Sequence, residues 1–264
     1  MCLLLFDLDG TLLRSDKSIS SKTKDILMKC RKQGILIGVS TSRSEKNSMN
    51  YIREIMPDVL ITSGGAVVKF RDRYLFTAEF TEEETNEMIR ISRTVCGSDC
   101  EITVDTLDSH FWNYHVDPKQ QLDPTWEGSV YTDYSDFHEK ALKMCVEIHN
   151  PETAALLAQL LPDCDCIKFV DGDWYKFTGK NATKENAILR MCEACRIHTR
   201  QITAFGDDLV DIGMLKLCGT GVAMGNALEE VKAVADIVIG SNDEDGIAEY
   251  LEKMIDNLLP EQER

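Results

Sequence analysis

The chain has 264 residues, enough for one large α/β domain or two smaller ones. Its 43% hydrophobic and 28% charged shares suit a soluble globular protein, and no apolar run reaches the ~20 residues of a membrane span. A net charge of −16 argues against nucleic acid and anionic membranes as main partners, and obliges an anionic substrate to find a local cation or a bound metal.

The N-terminus runs from a short apolar strand, Met1 to Leu5, straight into Phe6-Asp7-Leu8-Asp9-Gly10-Thr11-Leu12. It carries no basic leader, so it does not read as a signal peptide, and a cytoplasmic location is expected. The ten cysteines are then expected as reduced thiols. The spacings Cys164-x-Cys166 and Cys192-x-x-Cys195 are single pairs and read as buried structural thiols rather than zinc sites.

Asp is depleted in strands, yet Asp7 and Asp9 stand two residues apart at a strand end. If the strand geometry persists, they face one small volume, and two like charges there call for a cation or an acid–base task. Ser20-Ser21 caps a helix to about Lys32, with Gly34 at its C′ position. Ile35 to Val39 is a second buried strand, followed by Ser40-Thr41-Ser42-Arg43 and a polar helix up to Pro57. Val59 to Ile61 is a third strand, ending in Thr62-Ser63-Gly64-Gly65. This rhythm predicts a parallel sheet with helices on both faces and ligands beyond the carboxyl ends of the strands.

The rhythm then changes. Val67 to Phe70 and Tyr74 to Phe80 read as a hairpin, and Thr81 caps a helix with an acidic first turn. Strand-like pieces follow at Glu101 to Asp105 and His110 to His115, then a loop with Pro118 and Pro124. Lys143 to Ile148 is another strand, Pro151 opens a helix, and Cys166 to Val170 pairs with Trp174 to Phe177 around Asp171-Gly172-Asp173. Residues 80–178 therefore read as an inserted α+β module between core segments 1–79 and 179–264. From Thr183, which caps a helix to about Arg196, the parallel rhythm resumes with strands at Gln201 to Phe205, Gly221 to Met224 and Asp236 to Ile239. The last helix starts at Asp245 or Gly246.

Lys184 sits in the first turn of its helix, the unfavourable end for a cation. Asp207 and Asp211 lie four apart after a core strand and share a face if that segment is helical. Four carboxylates with neither His nor Cys point to a hard ion, Mg²⁺. With the Thr41 hydroxyl, the Ser42 N–H and Lys184, the set would hold a cation and a phosphate together. Asp7 is then a candidate nucleophile and Asp9 a candidate proton donor and acceptor.

These stretches, Asp7-Leu8-Asp9-Gly10-Thr11-Leu12, Thr41-Ser42-Arg43, Lys184 and Gly206-Asp207-x-x-x-Asp211, resemble the four ordered motifs of the haloacid dehalogenase-like superfamily. The tail, Gly221-Val222-Ala223-Met224-Gly225-Asn226-Ala227 with Asp245-Gly246-Ile247-Ala248, is similar to its Cof-type branch, as is the position of the insertion, which corresponds to that branch's cap (type IIB). The resemblance implies a Rossmann-like core and Mg²⁺-dependent phosphatase activity on small phosphorylated metabolites such as sugar phosphates, through an aspartyl-phosphate. It implies Asp7, the Asp9 carbonyl and Asp207 as metal ligands, Asp9 as acid/base, Asp211 as an orienting group, and Leu8, Thr41, Ser42 and Lys184 as phosphate contacts. A phosphomutase and a non-catalytic phospholigand-binding protein are the alternatives. Val210, Ser42 and Gly64 stand where that family often has Asn, Gly and Asn; none of the three replaces a catalytic group. Trp112, Tyr114, His115, Trp174, Tyr175 and Lys176 are the cap residues placed to meet a ligand; polar substrate contacts are expected from Arg43 and Lys176, and packing is the favoured reading for the aromatics.

Overall fold

The computed structural model describes residues 3–120, 128–169 and 172–258. The expectations at Met1, Pro124, Val170 and Asp171 lie outside the described residues.

Strand β1 (Leu3–Phe6) is wholly buried, as its unbroken apolar run requires. Helix α1 (Ser21–Lys32) starts where the Ser20 side chain accepts the Thr23 N–H, and Gly34 follows it at φ 80°. Next come β2 (Leu36–Ser40), α2 (Glu45–Ile52), β3 (Val59–Thr62), β4 (Val67–Phe70) and β5 (Arg73–Thr77). The α2 helix is shorter than its polar sequence predicts; it ends at Ile52 rather than Pro57. The inserted stretch contributes α3 (Glu82–Cys96), β6 (Ile102–Asp105), β7 (His110–Trp112), β8 (Val130–Tyr131), β9 (Lys143–Glu147), α4 (Pro151–Leu160), β10 (Cys164–Lys168) and β11 (Trp174–Gly179). The chain then returns through α5 (Lys184–Cys195), β12 (Ile202–Gly206), α6 (Ile212–Leu217), β13 (Thr220–Ala223), α7 (Glu229–Lys232), β14 (Ile237–Val238) and α8 (Gly246–Leu258).

Two sheets result. The first has the order β14-β13-β12-β1-β2-β3-β4-β5. It is parallel from β14 to β3, and β4 and β5 extend it antiparallel. β1 lies in the middle, flanked by β12 and β2, because the second segment of the chain returns to the sheet beside the first. Phe6 and Phe205 stack there at 4.5 Å in one large apolar core. α1 packs on α8 and β2, while α5 packs on α6 and β3 to β5.

The second sheet has the order β10-β11-β9-β6-β7-β8, antiparallel except for the parallel β7–β8 pair. α3 and α4 cover one face, where Ile102, Val104, Met144, Val146, Tyr175 and Phe177 meet Met88, Ile89, Ala154 and Leu157. Alternation sends the intervening residues to the other face. Register places Thr103, Asp105, His110, Lys143, Cys145, Lys176 and Thr178 together there. The fold is thus an α/β core with a parallel sheet, and an α+β cap inserted into it.

The cap sheet sits against the loops at the carboxyl ends of the core strands. Lys143 Nζ donates to the Ser42 carbonyl at 3.2 Å, and Lys46 Nζ on α2 to the Gly128 carbonyl at 3.2 Å.

Candidate active site

β1 ends at Phe6, so Asp7 and Asp9 lie in the turn that follows rather than on the strand itself. Gly10 continues that turn at φ 77°, and a Cβ there would stand 2.2 Å from Asp207 Oδ2, so only glycine allows the two segments to meet this closely. β12 runs parallel to β1 with Phe6 opposite Phe205, which brings Asp207 level with the turn. Thr11 Oγ1 donates to Asp207 Oδ1 at 2.6 Å, and Asn226 Nδ2 to the Gly10 carbonyl at 2.8 Å.

Lys184 opens α5 and is 3% exposed. Its Nζ donates to Asp7 Oδ1 and to Asp211 Oδ1, both at 2.6 Å. Asp211 is fully buried; its second oxygen accepts the N–H groups of Asp207 and Asp208 at 3.1 and 3.2 Å. Both Asp211 oxygens are thereby engaged, which makes it a brace for Lys184 and for the Asp207 turn. The segment from Leu209 to Asp211 is a tight 3₁₀ turn before α6, which folds the Asp211 carboxylate back on that backbone. A carboxylate oxygen from each of Asp7, Asp207 and Asp211 lies within 4.8 Å of the others.

Three carboxylates and one ammonium share this enclosed space. Burial drives the Asp7 carboxyl well above its usual range; Lys184 pulls it back, and Asp211 and Asp207 push it up again. Burial also raises Asp207, to about 6, against the Thr11 hydrogen bond and with help from Asp211 and Asp208. Burial alone would lower Lys184, but Asp211 and Asp7 outweigh it and hold the ammonium above its usual range. The excess negative charge and all-oxygen donor set fit a hard divalent cation, with Asp7 Oδ2 and Asp207 Oδ2 as the cluster's side-chain oxygens not otherwise engaged among the described residues.

The other expected residues are placed differently from one another. Thr41 is buried just past β2, and its hydroxyl accepts the Arg43 N–H at 3.1 Å. Among the described residues, the backbone N–H groups of Leu8 and Ser42 have no protein acceptor, as a phosphate-binding role requires. Asp9 turns away from the cluster. Arg43 Nε and Nη2 grip its two oxygens at 2.6 and 2.8 Å, and Lys17 Nζ joins at 2.8 Å. Burial would raise the Asp9 carboxyl, but Arg43 and Lys17 outweigh it and hold it below its ordinary value. Lys176 lies on the open face of the cap sheet, 4% exposed. Trp112 packs edge-on against Tyr114 at 5.7 Å and Trp174 at 5.9 Å, and His115 sits at the exposed rim beside Glu101 at 3.2 Å.

Three cap residues were not legible as a group in the sequence. Asp105 Oδ2 accepts from Lys143 Nζ at 2.7 Å, its other oxygen meets His110 Nδ1, and all three side chains are buried. The available signal was a charge in each of two strands, where charges are uncommon.

The model of the haloacid dehalogenase-like hydrolases matches residues 4–251. The 5-amino-6-(5-phospho-D-ribitylamino)uracil phosphatase YitU of Bacillus subtilis is 24% identical, over 95% of this chain and 96% of that protein. The phosphoglycolate phosphatase of Methanopyrus kandleri is 25% identical, over 97% and 98%. Among solved structures, the subclass IIB sugar phosphatase BT4131 superposes with a TM-score of 0.80 at 25% identity, over 96% of this chain and 99% of that one. A haloacid dehalogenase-like hydrolase from Bacteroides thetaiotaomicron reaches 0.84 at 22% identity, over 96% and 99%.

Proposed function

The chain belongs to the haloacid dehalogenase-like hydrolases and is a phosphatase of that family, and we propose that it hydrolyses small phosphorylated metabolites with Mg²⁺ through an aspartyl-phosphate. The observation that carries this reading is the cluster of Asp7, Asp207 and Asp211, the first and last of them buried, closed by Lys184.

In this reading Asp7 and Asp207, with the Asp9 carbonyl, hold the cation, which supplies positive charge against the phosphoryl oxygens. Lys184, the Thr41 hydroxyl and the N–H groups of Leu8 and Ser42 bind the same phosphoryl group. An Asp7 carboxylate oxygen attacks phosphorus while the bond to the leaving oxygen breaks. Asp9, freed from Arg43 and Lys17 and protonated from solvent, gives that proton to the leaving oxygen. Water then attacks the phosphorus of the aspartyl-phosphate, Asp9 accepts its proton, and inorganic phosphate leaves with the Asp7 carboxylate restored. Asp9 must exchange its Arg43 and Lys17 partners for the leaving oxygen to take part, so substrate entry and release of that clamp belong together. Asp211 keeps Lys184 in place throughout.

Relatives named for a ribitylaminouracil phosphate, a sugar phosphate and phosphoglycolate support a small phosphorylated metabolite as the substrate class. The free cysteines among the described residues, most of them on cap strands β9 and β10 and on helices α1, α3 and α5, suit a reducing, cytoplasmic setting. The test is phosphate release from p-nitrophenyl phosphate and a panel of sugar, nucleotide and cofactor phosphates, with Mg²⁺ or with chelator. Chelation and Asp7→Asn should each remove activity; activity that survives either at the wild-type level refutes the mechanism.

A further inference from the structure

The open face of the cap sheet carries two buried lysines in different electrostatic situations. Lys143, 6% exposed, has Asp105 at 2.7 Å and the Ser42 carbonyl at 3.2 Å. Lys176, 4% exposed, has no carboxylate within ion-pairing distance and no hydrogen-bond acceptor among the described residues. Register places Cys145 opposite it on β9 and Ile167 opposite it on β10, with Asp165 two residues further along the same face. Burial disfavours its charge, Lys143 and Lys184 repel it, and Asp165 is too weak to offset them.

The position of its amine is well defined. A Cβ on Gly64 would stand 3.1 Å from Lys176 Nζ, so the ammonium hangs over the Ser63–Gly65 turn that follows β3. That same turn braces the start of α5: a Cβ on Gly65 would stand 2.2 Å from the Thr183 carbonyl, one residue before Lys184. The Ser63–Gly65 turn thus stands between Lys176 Nζ and the start of α5, and Lys184 there is close enough to repel the Lys176 ammonium. An ammonium with no acceptor, at the end of a side chain this enclosed and repelled by two lysines, opposes folding rather than supporting it. It is accounted for by an anion that arrives with the substrate.

Resting on the phosphatase reading above, we propose that Lys176 binds a second anionic group, a carboxylate or a second phosphate, on the leaving-group portion of the substrate. The preferred substrates are then phosphate esters of small acids or bisphosphates, and esters with neutral leaving groups are poor.

Two matched pairs test this: 3-phosphoglycerate against glycerol 1-phosphate, and fructose 1,6-bisphosphate against fructose 6-phosphate. Wild type should favour the anionic member of at least one pair about 10-fold or more in kcat/KM, and the pair that responds tells carboxylate from phosphate. Lys176→Met should lower kcat/KM for that member about 10- to 100-fold, hold the neutral member within about 3-fold, and melt no lower than wild type. Lys176→Arg should restore part of the preference. No preference in wild type, or an equal loss on both members in Lys176→Met, overturns the proposal. Calorimetric titration of 3-phosphonopropionate against propylphosphonate separates the two readings. A Lys176-dependent preference for the carboxylated compound in a protein that hydrolyses no ester retains the subsite and rejects the phosphatase. Mg²⁺-dependent hydrolysis with no such preference does the reverse.

Discussion

At the scale of single residues, the buried charges divide into those with partners inside the protein and those without. Lys184 and Asp211 are partnered, and a substitution at either leaves an uncompensated charge in a closed space. Lys176 is the opposite case, and its titration gives a sign that can be checked. Burial first, then Lys143 and Lys184, lower it from 10.5 to about 8. In the unfolded chain it titrates near 10.5, so between pH 8 and 10.5 the unfolded state binds the extra proton and stability rises with pH. Below pH 8 both states are charged and the folded state bears the full cost, roughly 3 kcal/mol. Lys176→Met should therefore exceed wild type in urea stability at pH 7, and its advantage should shrink by pH 10. An advantage that is constant across that range would mean the gain comes from packing rather than from the removed charge.

At the scale of elements, a buried charge pair ties together two strands of the cap sheet far apart in sequence, and its lysine also reaches the core at the Ser42 carbonyl. Asp105 ends β6 and Lys143 begins β9, directly opposite in the register. Burial opposes ionisation of Asp105, but Lys143 and His110 together hold its carboxyl well below the usual range. Lys143→Met leaves that carboxylate buried and short of one partner, and should cost about 3–5 kcal/mol in chemical denaturation. The double variant Asp105→Leu with Lys143→Met should recover most of it, because the isolated charge is gone. If both variants are equally destabilised, the loss comes from Lys143's contact with the Ser42 carbonyl instead. What was legible in the sequence follows the same division. Asp7, Lys184 and Asp207 were visible because short motifs and strand-end placement are local properties, and a parallel sheet carries all its strand ends to one edge. The Asp9 clamp was not, because a side-chain rotation toward Arg43, 34 residues away, leaves no trace in spacing. Asp105 and Lys143 were hidden for a related reason: strand order and register in an antiparallel sheet depend on packing across the whole module. The β4–β5 pair was expected as a hairpin, but its attachment to β3 as an edge of the core sheet emerges only in three dimensions.

At the scale of the whole molecule, the site exists only when both ends of the chain are assembled. Asp7 comes from the first segment; Lys184, Asp207 and Asp211 come from the last, and the sheet order puts β1 between β12 and β2. An unfolded chain keeps these groups apart, so a cation held by them binds the native state alone and stabilises it by mass action. At 100 times its dissociation constant the gain is about 2.7 kcal/mol. Saturating Mg²⁺ should accordingly raise Tm in wild type, and Asp207→Asn should abolish most of that rise. Lys176→Met should keep the rise in full, since Lys176 lies on the cap and holds no part of the cation site. A Tm that Mg²⁺ leaves unchanged in wild type would mean the carboxylates are arranged for Lys184 alone. A rise preserved in Asp207→Asn would place the ion elsewhere. The same logic separates the two sheets: a cation at this site would act on the joint between the chain's two core segments, whereas the Asp105–Lys143 pair acts within the cap sheet. Combining Asp207→Asn with Lys143→Met should then give nearly additive losses of stability in the presence of Mg²⁺.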